Sequence, residues 1–245
     1  QFLGCFIAFY VDNPAQPIWE GLINRITFNA GGASYTISLD EMANRVSVVY
    51  TGASNVAAET TIVNNTASQA IYGIKQEQIE FGGDPSAATQ KTTLRDTILA
   101  QRAYPQSAIT QAQGNSNLVR LECIGIYQTL EWSKQFTALL NTTLSIDASI
   151  TAYVQNNANL ATFFDSTNVS KISANAVTTP VQQRGQSYWD IIVKNVEAGD
   201  GTNYWVCGIL PTDYNTGKRL FYYRVANSAV EYTAYKADGL RPRTI

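Results

Sequence analysis

The sequence predicts an α+β fold in which antiparallel β-sheet predominates. Two early segments, at 34–39 and 45–50, alternate between apolar and polar side chains, and this period of two is typical of half-buried strands. Three later segments have helical spacing, and further strand-like segments lie between and after them. The order is strand-rich, helix, strand, helix, helix and strand-rich, which favours α+β with mainly antiparallel sheet.

The composition is that of a globular protein with a lightly charged surface. The chain has 245 residues, a length that fits one large domain or two modest ones. Of these residues, 45% are hydrophobic and 15% are charged. A net charge of −2 offers no basic stripe for nucleic-acid phosphates. The chain has no histidine, and histidine is the usual general base and the commonest metal ligand, so an enzyme is disfavoured.

Several strands and turns are predicted around this framework. The apolar run 2–11 is too short to span a bilayer and is interpreted as a buried strand, so no stable membrane insertion is expected. The chain does not begin with Met, and we expect the natural product to be longer. Further strands are predicted at 71–74 leading into 79–81, and at 118–124. The Asn29–Gly32 segment is predicted to be a turn.

The first predicted helix covers about 85–103. Asp84 is a good N-cap and Pro85 then takes the first helical position. Lys91, Leu94 and Ile98 are expected to share one face of this helix, together with Ala87 and Gln101.

Two more helices follow in the second half of the chain. One is predicted over about 149–164, with Ile150, Val154 and Ala161 pointing inward. The best-marked helix begins after Ser187, because Asp190 three residues later completes a capping-box variant, and Gly199 ends it. Its inward residues are Tyr188, Ile191, Ile192 and Val196. The final strands are expected at about 203–210, 219–225 and 229–235, with turns at 213–217 and 226–228.

No residue pattern predicts a catalytic, cofactor-binding or metal-binding site. A glycosidase needs two carboxylates facing one sugar, but the acidic residues qualify by type alone. Asp200 to Asn203 resembles half of a calcium loop without its closing glutamate, so a turn is preferred. The pairs Gly31-Gly32 and Gly82-Gly83 lack phosphate-loop motifs and are interpreted as turns. The acidic candidates are Glu20, Asp40, Glu41, Glu59, Glu77, Glu80 and Asp200.

Tryptophan and cysteine are interpreted as structural residues. Trp19, Trp132, Trp189 and Trp205 lie within strand or helix patterns, which favours core positions over a carbohydrate-binding platform or an interface. The three cysteines have long spacings that fit no zinc or redox motif, and buried thiols are expected. A bridge between Cys123 and Cys207 stays open at this point. The cysteines are Cys5, Cys123 and Cys207.

Five stretches, taken in order, resemble siphophage minor tail proteins related to the baseplate hub. The first is an apolar-Glu-Gly-apolar strand, and the second is a D-x-M-x-N-x-V-x-V segment. The third is a YGI strand that is followed by a helix and an aromatic-Pro pair, and the fourth is the segment GIYQTLEW. The fifth is a helix followed by a glycine, a strand with tryptophan and a strand with an R-L pair. These stretches lie at 18–28, 39–48, 71–105, 123–132 and 185–222.

The resemblance implies tail-tube-like β-barrel or sandwich modules with flanking helices. The first module would span 1–135 and contain the helix at about 85–103, and the second, an α+β module, would span 136–245. The implied function is structural and not enzymatic. The protein would close the tail tube in the virion tail tip, anchor distal components and form part of the DNA exit conduit. Assembly would take place in the host cytoplasm.

The implied partners are copies of the chain itself and other tail proteins. A ring, most simply a trimer, would contact distal tail and tail-tube proteins, the tape-measure protein and receptor-binding or fibre proteins, while DNA passes without specific binding. Two other functions are kept open: a carbohydrate-binding tail or surface adhesion module, and a cell-wall-degrading enzyme domain. A related injection machine that is not a phage would have the same features.

Overall fold

Thirteen strands and five helices lie in the part of the chain that the computed structural model describes. That part comprises residues 3–10, 17, 19–30, 32–52, 57–82, 88–111, 118–135, 144–154, 160, 163–164, 171–180, 185–210, 219–226, 233–235 and 242–244. The strands are β1 (Phe6–Phe9), β2 (Trp19–Ala30), β3 (Ala33–Ser38), β4 (Arg45–Thr51), β5 (Ala57–Glu59), β6 (Val63–Asn64), β7 (Gln76–Phe81), β8 (Gln106–Gln111), β9 (Val119–Gly125), β10 (Trp205–Leu210), β11 (Leu220–Val225), β12 (Thr233–Tyr235) and β13 (Pro242–Thr244). The helices are α1 (Thr66–Tyr72), α2 (Ala88–Arg102), α3 (Gln128–Trp132), α4 (Ile146–Val154) and α5 (Tyr188–Ala198).

The strands form four sheets, and none of these closes into a barrel within the described residues. Antiparallel pairing predominates, so the predicted α+β class with mainly antiparallel sheet is confirmed. Strands β4 and β7 form a parallel pair, from Arg45↔Gln76 to Tyr50↔Phe81. The expectation of tail-tube-like modules is finer than this architecture and stays a prediction.

The largest sheet is built around the long strand β2. Its first half pairs with β1 on one side, its second half pairs with β3 on that same side, and β9 pairs along the other side. Strand β8 adds to the outer side of β3, which gives the order β9–β2–β3–β8. A register shift between Ile23 and Arg25 marks a bulge in β2. The predicted turn after Asn29 is confirmed, and its Gly32 has a positive φ of 79°.

The second sheet has β4 at its centre. Strands β5 and β6 pair with β4 in antiparallel orientation, and β7 lies parallel to it. Val46 and Val48 are fully buried on β4, as the alternating pattern predicted, and α2 packs against this strand.

The prediction of a strand at 71–74 is wrong, because Ile71 and Tyr72 form the last turn of α1. Asn65 caps this helix by accepting a hydrogen bond from the Ser68 amide at 3.0 Å, and Gly73 ends it with a φ of 75°. Strand propensity of Ile71 and Tyr72 is overridden by these two caps and by the burial of Tyr72. The expected strand at 79–81 is confirmed as part of β7.

The helix predicted at 85–103 is confirmed as α2, but its inward face differs from the prediction. Lys91 and Arg95 are buried, whereas Leu94 and Ile98 are half-buried and Gln101 is exposed. The ammonium of Lys91 lies 3.6 Å from the centre of the Tyr50 ring. The aliphatic parts of long basic side chains can pack on apolar surface. A prediction made from the spacing of apolar residues alone therefore does not identify Lys91 and Arg95 as inward-facing. The proposed cap at Asp84 and the residues Pro85 and Ala87 lie outside the described residues.

The second predicted helix is shorter than expected. Helix α4 begins at Ile146, and Ile150 and Val154 are buried as predicted. The expectation that the helix reaches 164 is wrong, because Phe164 instead forms a β-bridge with Arg219 and packs its ring against Phe221. Ala161 lies outside the described residues.

The third helix and the strands after it follow the prediction closely. In α5 the Ser187 side chain accepts from the Asp190 amide at 3.0 Å, and the Asp190 carboxylate accepts from the Ser187 amide at 3.2 Å. Tyr188, Ile191 and Ile192 are buried, Val196 packs against the core, and Gly199 caps the end. Strands β10 and β11 confirm the next two segments, and β12 covers the end of the third. The predicted turn at 213–217 lies outside the described residues. Residues 227–228 of the predicted turn at 226–228 also lie outside them.

Strand β1 confirms an N-terminal strand but not its burial. Phe6 is 44% and Phe9 51% exposed, because β1 pairs only with β2 among the described strands and lies at the sheet edge. The main core cluster includes residues from both sides of residue 135, among them Leu22, Leu130, Ile192 and Tyr223. The module boundary at 135 stays a prediction.

Candidate functional site

The β9–β2–β3–β8 part of the largest sheet has one apolar and one polar face. Residues that pair directly across antiparallel strands point to the same side of the sheet. The register places two rows side by side on one face, which we call the apolar face. The rows are Val119–Phe28–Tyr35–Ile109 and Leu121–Ile26–Ile37–Ser107.

Much of this apolar face is open to solvent. Ile109 is 70% exposed, Val119 66% and Leu121 46%, and the rings of Phe28 and Tyr35 stack with their centres 4.9 Å apart. Together these side chains expose on the order of 500 Å² of apolar area, near the upper end for a monomeric protein. Scattered exposed hydrophobic residues are ordinary, but aligned rows on one sheet face indicate a contact surface.

The opposite face of the same strands is polar. Thr27 and Thr36 lie across from each other with their hydroxyls 3.1 Å apart. Arg25 donates to Glu122 at 3.1 Å and also to Asp40. One face is therefore suited to water, whereas the other has the composition of a sheet face that is normally covered.

Three of the acidic residues considered as catalytic candidates are held in polar contacts with basic or amide side chains. Glu20 accepts from Arg219 at 3.2 Å, and Glu59 accepts from Gln78 at 3.0 Å. Glu41 lies 3.8 Å from Arg102. Glu80 is exposed on β7.

Asp40 and Glu77 are brought together at a polar cavity of about 280 Å³ that sequence reasoning did not find. Burial acts to raise the pKa of Asp40, but hydrogen bonds from Asn24, Ser38 and Arg25 outweigh it and lower that pKa below its ordinary value. Glu131 and two lysines line the same cavity.

Lys75 is the most unusual group of this cavity. Its side chain is buried, its ammonium donates to the carbonyl of Leu39, and it lies 4.2 Å from the centre of the Trp132 ring. Burial lowers the pKa of Lys75 to about 8. A lone lysine between strand-like segments has no sequence signal that predicts this environment.

Asp200 forms a local turn, as the sequence predicted. Its carboxylate accepts from the amides of Thr202 at 2.9 Å and Asn203 at 2.7 Å, and from the Asn203 side chain at 2.8 Å. The hydrogen bonds from Asn203 and Thr202 lower the pKa of Asp200 to about 2. Among the described residues no three His, Cys, Asp or Glu side chains cluster as metal ligands.

The tryptophans divide into two classes. Trp132 and Trp205 are core residues, as predicted, with Trp205 stacked on Tyr223 at 4.6 Å. Trp19 and Trp189 are half-buried and line one cleft. Trp189 also packs against the core cluster, so its core assignment is confirmed in part.

The cysteines also differ in their environment. Cys123 and Cys207 are free, half-buried thiols, and burial raises the pKa of Cys207 to about 11. Cys5 is exposed, contrary to the expected burial.

Comparisons of the chain with protein-family models, with curated proteins and with solved structures found no match. Within the described helices, none has the length and apolar character needed to cross a bilayer.

Proposed function

We propose that this chain is a structural subunit of a phage tail tip or baseplate hub that assembles through the apolar face of its largest sheet. The observation that carries the proposal is the pair of aligned, exposed apolar rows around Ile109, Val119 and Phe28. Packing another copy against the edge of this area would remove part of it from water, which is the main favourable term in protein association. The five hub-like stretches of sequence support the same class of protein.

The edges of the sheet suit assembly into a closed ring. A ring requires two different surfaces on each subunit, one for each neighbour. The outer strands β8 and β9 are different in sequence, and no described strand pairs with the outer edge of either. Pairing of β8 with β9 of the next copy would place Ile109 of one subunit beside Val119 of the next, so that the apolar rows continue across the contact and cover each other where they meet. A trimer is the simplest such ring.

The proposed ring acts mechanically at the virion tail tip. It would close the tail tube, anchor the tape-measure protein and distal tail proteins, carry receptor-binding or fibre proteins, and let DNA pass. The net charge of −2 suits a conduit that does not retain DNA, because like charges repel. We assign no enzymatic reaction to the chain.

The proposal is tested by measuring the mass of the native assembly with light scattering, followed by electron microscopy of the same sample. Two variants on one exposed strand provide a matched pair. Ile109→Asp introduces a charge into the apolar face, and Thr110→Asp introduces the same charge on the polar face next to it. Both positions are exposed, so neither change creates a cavity in the folded subunit.

We expect the wild-type chain and the Thr110→Asp variant to form a ring with a central opening, and the Ile109→Asp variant to remain monomeric. A chain that stays monomeric at every concentration would contradict assembly through this face. Equal assembly of both variants would show that the apolar face is not the contact surface.

A further inference from the structure

A cleft lies where β9 leaves β2. The last pair between these strands is Gly21↔Gly125, so Trp19 and Glu20 extend beyond β9 at the start of β2. After Gly125 the chain turns toward α3, and a cleft of about 380 Å³ opens beside it. The cleft is lined by Trp19, Glu20, Gly125, Ile126, Tyr127, Trp189, Gly208 and Ile209.

Three aromatic rings from different elements lie along this cleft. Trp19 comes from β2, Tyr127 precedes α3 and Trp189 belongs to α5. Tyr127 is 43% exposed, and the two tryptophans are half-buried, so each ring keeps surface accessible to a ligand. Partly exposed Trp and Tyr side chains combine an apolar ring with a polar N–H or O–H group.

The rings are held in place by neighbours rather than mobile on the surface. The Trp19 ring packs against Phe9 with centres 5.5 Å apart, and Tyr127 packs against Trp189 at 5.6 Å. A Cβ atom at Gly21 would lie 2.2 Å from the Trp19 ring, so only glycine leaves room for this ring position. A ligand that binds here meets a largely preformed surface, which reduces the entropic cost of binding.

The charge at the cleft favours a neutral ligand. Glu20 is the charged residue among the lining side chains, and its partner Arg219 lies 3.2 Å away with its guanidinium carbon 3.9 Å from the Phe6 ring centre. This ion pair neutralises the carboxylate, so the cleft presents neither a free cation for an anionic ligand nor an uncompensated anion for a cationic one. The indole, phenol and carboxylate groups still provide donors and acceptors for hydroxyl groups.

We propose that this cleft is a binding site for a neutral saccharide ring. A pyranose has one face rich in C–H groups, which packs on the electron-rich face of an aromatic ring, and a rim of hydroxyls that bind polar groups. An aromatic-lined cleft with few polar groups matches this combination, and its volume fits one or two sugar rings. The site is separate from the apolar sheet face and would give the assembled protein a glycan-binding function.

Titration of the full chain with saccharides, followed by intrinsic tryptophan fluorescence, tests this proposal. The probes are mono- and trisaccharides of glucose, galactose, rhamnose and N-acetylglucosamine. The variants are Tyr127→Ala and Trp189→Phe, and Tyr204→Ala is the matched control because Tyr204 is 88% exposed and lies outside the cleft lining. Circular dichroism of each variant verifies that the fold is retained.

We expect saturable binding of at least one saccharide by the wild-type chain and by Tyr204→Ala. Affinity should fall at least about tenfold in Tyr127→Ala, because a stacked aromatic ring is lost. The absence of saturable binding for every probe would overturn the proposal, as would wild-type affinity in both cleft variants. Uptake of an apolar dye without any saccharide would also overturn it and would indicate a protein contact instead. Because assembly mass is measured separately, this result is independent of the ring.

Discussion

Arg219 and Glu20, which are 199 positions apart in sequence, form an ion pair at 3.2 Å with side chains only 6% and 12% exposed. The pair connects the start of β2 with the residue that precedes β11. Burial lowers the pKa of Arg219, whereas the negative charge of Glu20 acts to raise it. Glu20 therefore stabilises the charged form of the Arg219 side chain. The contact therefore joins the largest sheet to the sheet formed by β10 and β11.

Replacing Arg219 by Ala should destabilise the protein by about 3–5 kcal/mol, because the largely enclosed Glu20 carboxylate would lose the guanidinium that compensates its charge. Urea unfolding followed by circular dichroism measures the change. Arg120→Ala is the control, since the Arg120–Glu122 pair is much more exposed and should contribute less than about 1 kcal/mol. Equal effects of the two changes would contradict the assignment of Arg219–Glu20 as a structural pair.

Replacing Ser187 by Ala should cost about 1 kcal/mol of stability, because the Asp190 amide loses its side-chain acceptor at the start of α5. Thermal unfolding detects this as a lower Tm. Ser107→Ala on the exposed strand β8 should leave Tm nearly unchanged. If the Ser187→Ala and Ser107→Ala variants have the same Tm, the capping box does not stabilise α5.

The capping box also explains why α5 was the most accurately predicted helix. Its N-cap, its helical apolar spacing and its terminal glycine are all local, so the sequence alone contains them. Strand β8 was missed for the opposite reason. Its sequence, Gln106–Gln111, is mostly polar with Ile109 as its one large apolar residue, and it forms a strand because β3 offers an edge for pairing.

The candidate site was only partly predictable. Apolar alternation in 34–39 and 118–124 predicted strands, but not that their apolar side is left uncovered, since exposure depends on what packs against a sheet. Trp19 and Trp189 carry the same apolar pattern as core residues, and their shared cleft arises from the geometry with which β9 leaves β2. Tertiary contacts of this kind have no local sequence signal.

Replacing Trp132 by Ala should destabilise the protein by about 3–5 kcal/mol through loss of buried aromatic area. The change also removes the ring that faces the ammonium of Lys75. Chemical unfolding measures the loss. Trp189→Ala should cost less, because Trp189 is half-buried at the cleft; a larger effect at Trp189 than at Trp132 would contradict the division of the tryptophans.

Lys75 should make stability depend on pH in the alkaline range. Its pKa is lowered from 10.5 to about 8 in the folded protein because burial disfavours the charged amine. Between pH 8 and 10.5 the unfolded chain binds a proton at this lysine that the folded chain does not. Lys75 by itself is therefore expected to contribute up to about 3 kcal/mol of stability as pH rises across this window, and this contribution is lost as pH falls toward 8.

Two tyrosines act in the opposite direction at higher pH. Burial raises the pKa of Tyr153 and of Tyr223 to about 12, from an ordinary value of 10.0. The folded state thus keeps protons that the unfolded chain releases above pH 10, and stability falls as pH rises toward 12. Cys207, whose pKa burial raises from 9.0 to about 11, also keeps its proton in the folded state and lowers stability above pH 9. Because this loss offsets the gain from Lys75, the optimum is expected near pH 9.

Lys75→Met separates the two contributions. The variant should lose the rise in stability above pH 8 and show a fall that begins near pH 9, because Cys207 and the tyrosines are unchanged. Urea unfolding at closely spaced pH values measures both limbs. Lys194→Met, a change at an exposed lysine of α5, should reproduce the wild-type profile. A rise of wild-type size in the Lys75→Met variant would show that another group titrates in this window and that Lys75 is charged in the folded protein.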